Sequence, residues 1–138
     1  MLEDLKDRLQ LEAILAVLGG AVAIASRTNR EIADYVKQKD GIAEIRTEDR
    51  RAGMRFYISN GKVRVGRGTH PSPDYAMVYK DIPTAVAVLK QGTQEASMKA
   101  ISQGELRFEG DFTFGMWFND LLQNVGKLIK NPRKMISL

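Results

Sequence analysis

The residues able to do chemistry form a short inventory: one histidine, no cysteine, and carboxylates and cations spread along 138 residues. Nucleophilic catalysis would need His70 beside a hydroxyl nucleophile and an orienting carboxylate. His70 instead stands in Thr69-His70-Pro71-Ser72-Pro73, a run that reads as a loop because two prolines lack the donors of a strand ladder. No spacing couples it to a nucleophile. One histidine without cysteine gives no transition-metal ligand set, and Glu44, Glu48 and Asp49 read as a solvated strand end. Gly66-Arg67-Gly68 lacks the third glycine and the following helix of a dinucleotide loop, so it reads as a strand-ending turn. The expectation is a protein that is not an enzyme, with no catalytic residue, metal or cofactor.

Charge is the stronger signal. The formal net charge is +4, concentrated in two places. Residues 46–67 hold seven basic residues against Glu48 and Asp49, and residues 126–138 hold four against none, leaving the rest net negative. Arg55, Lys62, Arg64 and Arg67 alternate along two candidate strands with Tyr57 among them, which would suit nucleic acid. Any half-exposed hairpin shows the same alternation, and nucleic acid is the disfavoured partner. An anionic membrane surface accounts for both clusters. Lys127, Lys130, Arg133 and Lys134 lie beside Val125, Leu128 and Ile129 in an amphipathic end, and each basic side chain near anionic lipid contributes on the order of 1 kcal/mol.

Length, 43% hydrophobic and 28% charged residues fit one globular domain without repeats. The acidic start Met1-Leu2-Glu3-Asp4 differs from a secretory leader, and the apolar run Ala13 to Ala25 is shorter than the roughly 20 residues that span a bilayer. The expected location is the cytoplasm, with peripheral membrane attachment through the basic end.

The elements follow from period and punctuation. Residues 2–18 read as a Leu/Ala-rich helix interrupted at Gly19-Gly20, and a second helix starts at the cap Asn29 and runs toward a stop at Gly41. From Ile42 the period becomes two: Ile42 to Thr47 is a strand, and Met54, Phe56 and Ile58 alternate with Arg55, Tyr57 and Ser59. Asn60-Gly61 then predicts a type I′ hairpin into Lys62 to Gly66. Tyr75 to Tyr79 is apolar on both faces, as in an interior strand. Asp81 caps a helix with Pro83 in its first turn, ended by Gly92; Gln94 to Ser102 is a short helix closed by Gly104; Glu105 to Glu109 is a strand; and Asp111 caps a long last helix that ends before Pro132.

The stretches Tyr75-Ala-Met-Val-Tyr-Lys-Asp-Ile-Pro-Thr-Ala-Val-Ala-Val-Leu-Lys-Gln-Gly92 and Ala100-Ile-Ser-Gln-Gly-Glu-Leu-Arg-Phe-Glu-Gly-Asp111 resemble the sterol carrier protein type 2 domain, with its strand, acidic cap, helix, Gly, short helix, Gly, strand, Gly and Asp. The resemblance covers residues 30 to 125. It implies an α+β fold with a mixed five-stranded sheet and helices packed on one face around an apolar tunnel that takes fatty acyl chains, sterols or isoprenoids. The chain then divides into an N-terminal helical extension at 1–28, the carrier-like domain at 29–130 and a basic tail at 131–138.

Phe112, Phe114, Met116, Trp117 and Phe118 crowd the start of the last helix, more bulk than one narrow core stripe needs, and Met adapts to irregular apolar shapes. The expected apolar lining is Phe56, Ile58, Val86, Leu89, Met98, Ile101, Phe114, Trp117, Phe118, Leu121 and Leu122. The expected function is binding or transfer of an apolar lipid. The alternative is a structural or accessory subunit with a filled core that forms a homodimer through residues 1–26 or partners an enzyme.

Overall fold

The alternation along the strands sorts the sheet into an apolar and a charged face. In the computed structural model, which describes residues 2–131, the elements run α1 (Leu2–Thr28), α2 (Arg30–Val36), β1 (Gly41–Thr47), β2 (Gly53–Ser59), β3 (Lys62–Arg67), β4 (Tyr75–Tyr79), α3 (Ile82–Gln91), α4 (Gln94–Ser102), β5 (Leu106–Gly110) and α5 (Phe112–Lys130). The five strands form one sheet in the order β3-β2-β1-β4-β5; β1 and β4 pair parallel and the other neighbours antiparallel. The register aligns Ala43 with Phe56 and Tyr75, and Ile45 with Met54 and Met77, so these side chains share one face. The helices pack on that side.

Caps position the helices as expected. Asn29, Asp81 and Asp111 accept hydrogen bonds from the backbone N–H groups of Ile32, Thr84 and Phe114 at 3.0, 2.9 and 3.0 Å. Thr93 caps α4 in the same way through Ala96 N–H at 3.1 Å, a signal the sequence reading passed over. The hairpin turn places Asn60 and Gly61 at φ 54° and 76°, the left-handed region a type I′ turn demands.

Two expectations fail. Gly41 does not stop a helix; α2 ends at Val36 and Gly41 opens β1. Gly19-Gly20 does not interrupt the first helix either: α1 is continuous over 27 residues. A Cβ at Gly19 would overlap Met54, so this glycine lets α1 lie against β2.

α1 is also longer than its apolar run suggested. Its length and composition would suffice to cross a bilayer, yet Leu11, Leu15, Val22 and Ala25 are buried in the same core as the sheet and α5.

Candidate functional site

The expected lining separates into three groups. Phe56, Ile58, Val86, Phe114, Trp117, Phe118 and Leu121 are buried in one apolar cluster, with Leu89 and Leu122 packed half-buried against it. Met98 and Ile101 are 62% and 41% exposed on the outer side of α4 and do not join it. Ala96 and Ala100 face inward instead. Lys127 and Lys130 are exposed in the last turn of α5, while Arg133 and Lys134 lie outside the described residues.

α5 supplies the wall of this cluster because its apolar residues recur at positions 114, 117, 118, 121 and 125, one side of a 3.6-residue helix. The helix presses onto β4 where Gly115 meets the Tyr75 ring. Phe56 meets Phe118 edge-on with ring centroids 5.0 Å apart; Phe118 meets Tyr75 at 6.2 Å, and Tyr75 meets Phe108 at 5.9 Å. These four rings form a continuous aromatic path from the core to the edge strand β5. At its outer end lies a small open groove of about 60 Å³ between β5 and α5, bordered by Tyr75, Phe108, Phe112, Met116 and Asn119. Phe108, Phe112 and Met116 are exposed there.

At the inner end Phe56, Phe118 and Leu121 have no exposure at all, so not even a water-sized space adjoins them. The apolar surface sought from the sequence is therefore closed upon itself at these positions, and of the expected lining only Phe114 borders either of the two grooves described here.

Polar atoms inside this region are few. Tyr75 Oη donates to Asn119 Oδ1 at 3.1 Å, and burial pushes its hydroxyl up to about 12. Tyr79 is shifted in the same direction for the same reason. Trp117 is buried, and its Nε1–H has no hydrogen-bond partner among the described residues. A buried donor left unpaired costs about 1–3 kcal/mol.

The opposite sheet face holds the charges. Glu44, read from sequence as solvated, is fully buried on the central strand β1. Arg46 Nε meets Glu44 Oε2 at 3.2 Å, Arg46 Nη2 meets Glu109 Oε1 at 3.2 Å, and the His70 backbone N–H donates to Glu44 Oε1 at 2.7 Å. The 68–74 loop thus covers the pair. His70 Nδ1 accepts from Ser72 N–H at 3.0 Å and its ring stands edge-on to Tyr57. Arg64 and Arg55 lie 5.4 and 6.0 Å from the Tyr57 ring centroid. Arg67 leaves the basic face expected of it: it pairs with Met54 in register and reaches Glu12 of α1 at 2.7 Å on the helix side.

A second groove of about 240 Å³ is bordered by Lys39, Asp40, Asp74, Asp111, Thr113 and Phe114. Its carboxylates are committed to backbone N–H groups: Asp74 to Ile42, Asp111 to Phe114 and Asp40 to Asn60. Among the described residues no group of three His, Cys, Asp or Glu side chains could hold a metal ion.

The sequence matches no protein-family model and no curated protein. Its fold is similar to solved structures. The sterol carrier protein domain 2 of Helicoverpa armigera aligns with TM-score 0.60 at 15% identity, over 83% of this chain and 89% of that one. Sterol carrier protein 2 from Yarrowia lipolytica, in its apo form, aligns with TM-score 0.56 at 12% identity, over 80% and 90%. The UbiJ-SCP2 ubiquinone synthesis protein aligns with TM-score 0.54 at 14% identity, over 86% and 89%. By these alignments, each over four fifths or more of both chains, the chain has the fold of the sterol carrier protein 2 domain.

Proposed function

We propose that this protein binds or transfers an apolar lipid of fatty acyl, sterol or isoprenoid type, without catalysing a reaction on it. The observation that carries the reading is the aromatic path Phe108–Tyr75–Phe118–Phe56, which joins an exposed apolar rim to the helix–sheet interior. The names of the solved likenesses, sterol carrier and ubiquinone synthesis protein, concern apolar molecules as well.

In this reading the groove between β5 and α5 is the mouth, and a ligand enters by displacing α5 from the sheet edge. Each buried methylene gains roughly 0.8 kcal/mol, so a long acyl chain can offset the separation of side chains that now fill the interior. The unpaired Trp117 Nε1–H would then find an acceptor in a ligand carbonyl or hydroxyl. Lys127 and Lys130, with Arg133 and Lys134 beyond, would bring the protein to anionic membranes where such ligands reside.

The test is lipid extraction and mass spectrometry of protein purified without detergent, together with titration by a fluorescent fatty acid. Bound lipid, or saturable binding with a change in Trp117 emission, supports the reading; the absence of both lipid and binding overturns it. A second reading, an accessory subunit without ligand, is favoured by the complete burial of Phe56, Phe118 and Leu121, and it becomes the better account in that event.

A further inference from the structure

α1 carries two apolar stripes on opposite sides. Leu11, Leu15, Val22 and Ala25 face the core. On the other side Leu2, Leu9 and Ile24 lie in one line with Ala13, Ala16 and Gly20, flanked by Leu5 and Val17, with Lys6 among them and Arg27 at the far end. Leu2, Leu5, Leu9, Val17 and Ile24 are each more than half exposed. The helix is about 40 Å long, so this is an extended apolar seam and not a scattered exposed leucine.

We propose that this seam binds the same seam of a second copy, with the two α1 helices antiparallel about a dyad between residues 14 and 15. Helices paired in that register set Leu9 opposite Gly20, Leu5 opposite Ile24 and Ala13 opposite Ala16. A large residue, Leu9, meets the smallest of the stripe, and the centre is built of small residues that let two helices approach closely. The ends match in charge as well. Glu3 in the first turn of one helix comes beside Arg27 at the far end of the other, while Asp4 shares the line of Leu11 and faces away from the pair. A parallel pair would stack like charges and set Leu9 on Leu9. The self-complementary surface is what a twofold dimer requires. This proposal does not rest on the lipid reading, since the seam faces away from the core.

Sedimentation velocity of the full chain between about 1 and about 200 µM tests it, because one helix pair is a small interface and its dimer should be concentration dependent. The expected result is a monomer–dimer equilibrium that Leu9→Glu weakens by about tenfold or more while far-ultraviolet circular dichroism stays unchanged. Orientation is read in a chain that has no cysteine of its own. Leu5→Cys protein mixed with Ile24→Cys protein should form a disulfide-linked heterodimer, and neither variant alone should link to itself. A monomer at every concentration overturns the proposal, as does self-linking of Leu5→Cys, which would mean a parallel pair. It is also overturned if the monomer instead floats with phosphatidylcholine–phosphatidylglycerol vesicles and Leu9→Glu abolishes that flotation, since a bilayer would then be the occupant.

Discussion

Tyr35 and Trp117 lie flat against one another, ring centroids 5.2 Å apart and planes within 1°, and the Tyr35 hydroxyl donates to the backbone carbonyl of Trp117 itself at 2.8 Å. The short helix α2 is thereby held to α5 by a stacked ring and a hydrogen bond through the same pair of residues. Phe114 stacks nearby on Trp117 at 5.6 Å. Tyr35→Phe removes the hydrogen bond and keeps the stack, so denaturant unfolding should show a loss of about 1 kcal/mol. Tyr35→Ala removes both and should cost more, with Trp117 emission shifted to the red as water reaches the indole.

Glu44 and Arg46 form a buried pair whose members are unequally replaceable. Arg46 has Glu109 and the carbonyl of Thr47 as further partners, whereas Glu44 depends on Arg46 and one backbone N–H from the 68–74 loop. Arg46→Met should therefore cost about 3–5 kcal/mol by leaving a buried carboxylate without its counter-charge. Adding Glu44→Leu to Arg46→Met should restore part of that loss. Chemical denaturation of the single and double variants measures the coupling, and a double variant no more stable than the single one would contradict it.

Two glycines of α5 should answer alanine in opposite senses. At Gly115 an added methyl overlaps the Tyr75 ring, while at Gly126 nothing lies within 4 Å. Gly126→Ala should stabilise by about 0.5–1 kcal/mol through helix propensity. Gly115→Ala gains the same propensity but must push α5 off β4, at about 1–3 kcal/mol, so its net effect should be destabilising. Thermal unfolding of the two variants decides the point.

Much of this frame was legible in the sequence because it rests on local chemistry. Asn29, Asp81 and Asp111 announce helix starts by what their side chains do to the nearest N–H groups, and Asn60-Gly61 announces a hairpin by backbone conformation. What failed depended on tertiary partners. Glu44 looked like a surface carboxylate because neither its place on the central strand nor the loop over it is encoded nearby. Gly19 looked like a helix break because its reason, Met54, is 35 positions away. Met98 and Ile101 kept apolar spacing, yet α4 turns Ala96 and Ala100 inward, so hydrophobicity alone named the wrong side. The ring path from Phe108 to Phe56 joins three strands and a helix, and no local pattern predicts it.

Stability should fall at both ends of the pH scale. Hydrogen bonds from Thr47, Thr84 and Arg107 hold Asp49, Asp81 and Glu109 respectively below the ordinary carboxylate range. Carboxyls depressed in the folded state stabilise it above their unfolded pKa of about 4 and lose that contribution as pH falls further. Tyr75 behaves in the opposite sense: burial holds its proton to about 12 against about 10 when unfolded. Its contribution is intact below about pH 10 and is lost across the window up to about 12. Melting temperature against pH should therefore be level through neutrality, and Tyr75→Phe should make the alkaline limb shallower, Tyr79 keeping its share, while leaving the acid limb unchanged.

The mouth proposed between β5 and α5 makes a prediction that separates binding from folding. Met116 borders the groove and is half exposed, so Met116→Glu places a charge in the rim without burying it. The folded state should tolerate this within about 0.5 kcal/mol, as surface changes generally do. An acyl chain passing the rim would have to bury or displace the carboxylate, at a cost of a few kcal/mol, and each 1.4 kcal/mol is tenfold in affinity. Fluorescent fatty acid binding should thus weaken by about tenfold or more at unchanged melting temperature, while Met98→Glu, on the outer side of α4, should leave it unaltered. Equal binding by both variants and the unmodified chain would move the mouth elsewhere on the helix–sheet edge, because no apolar chain passes a fixed carboxylate without paying for its desolvation.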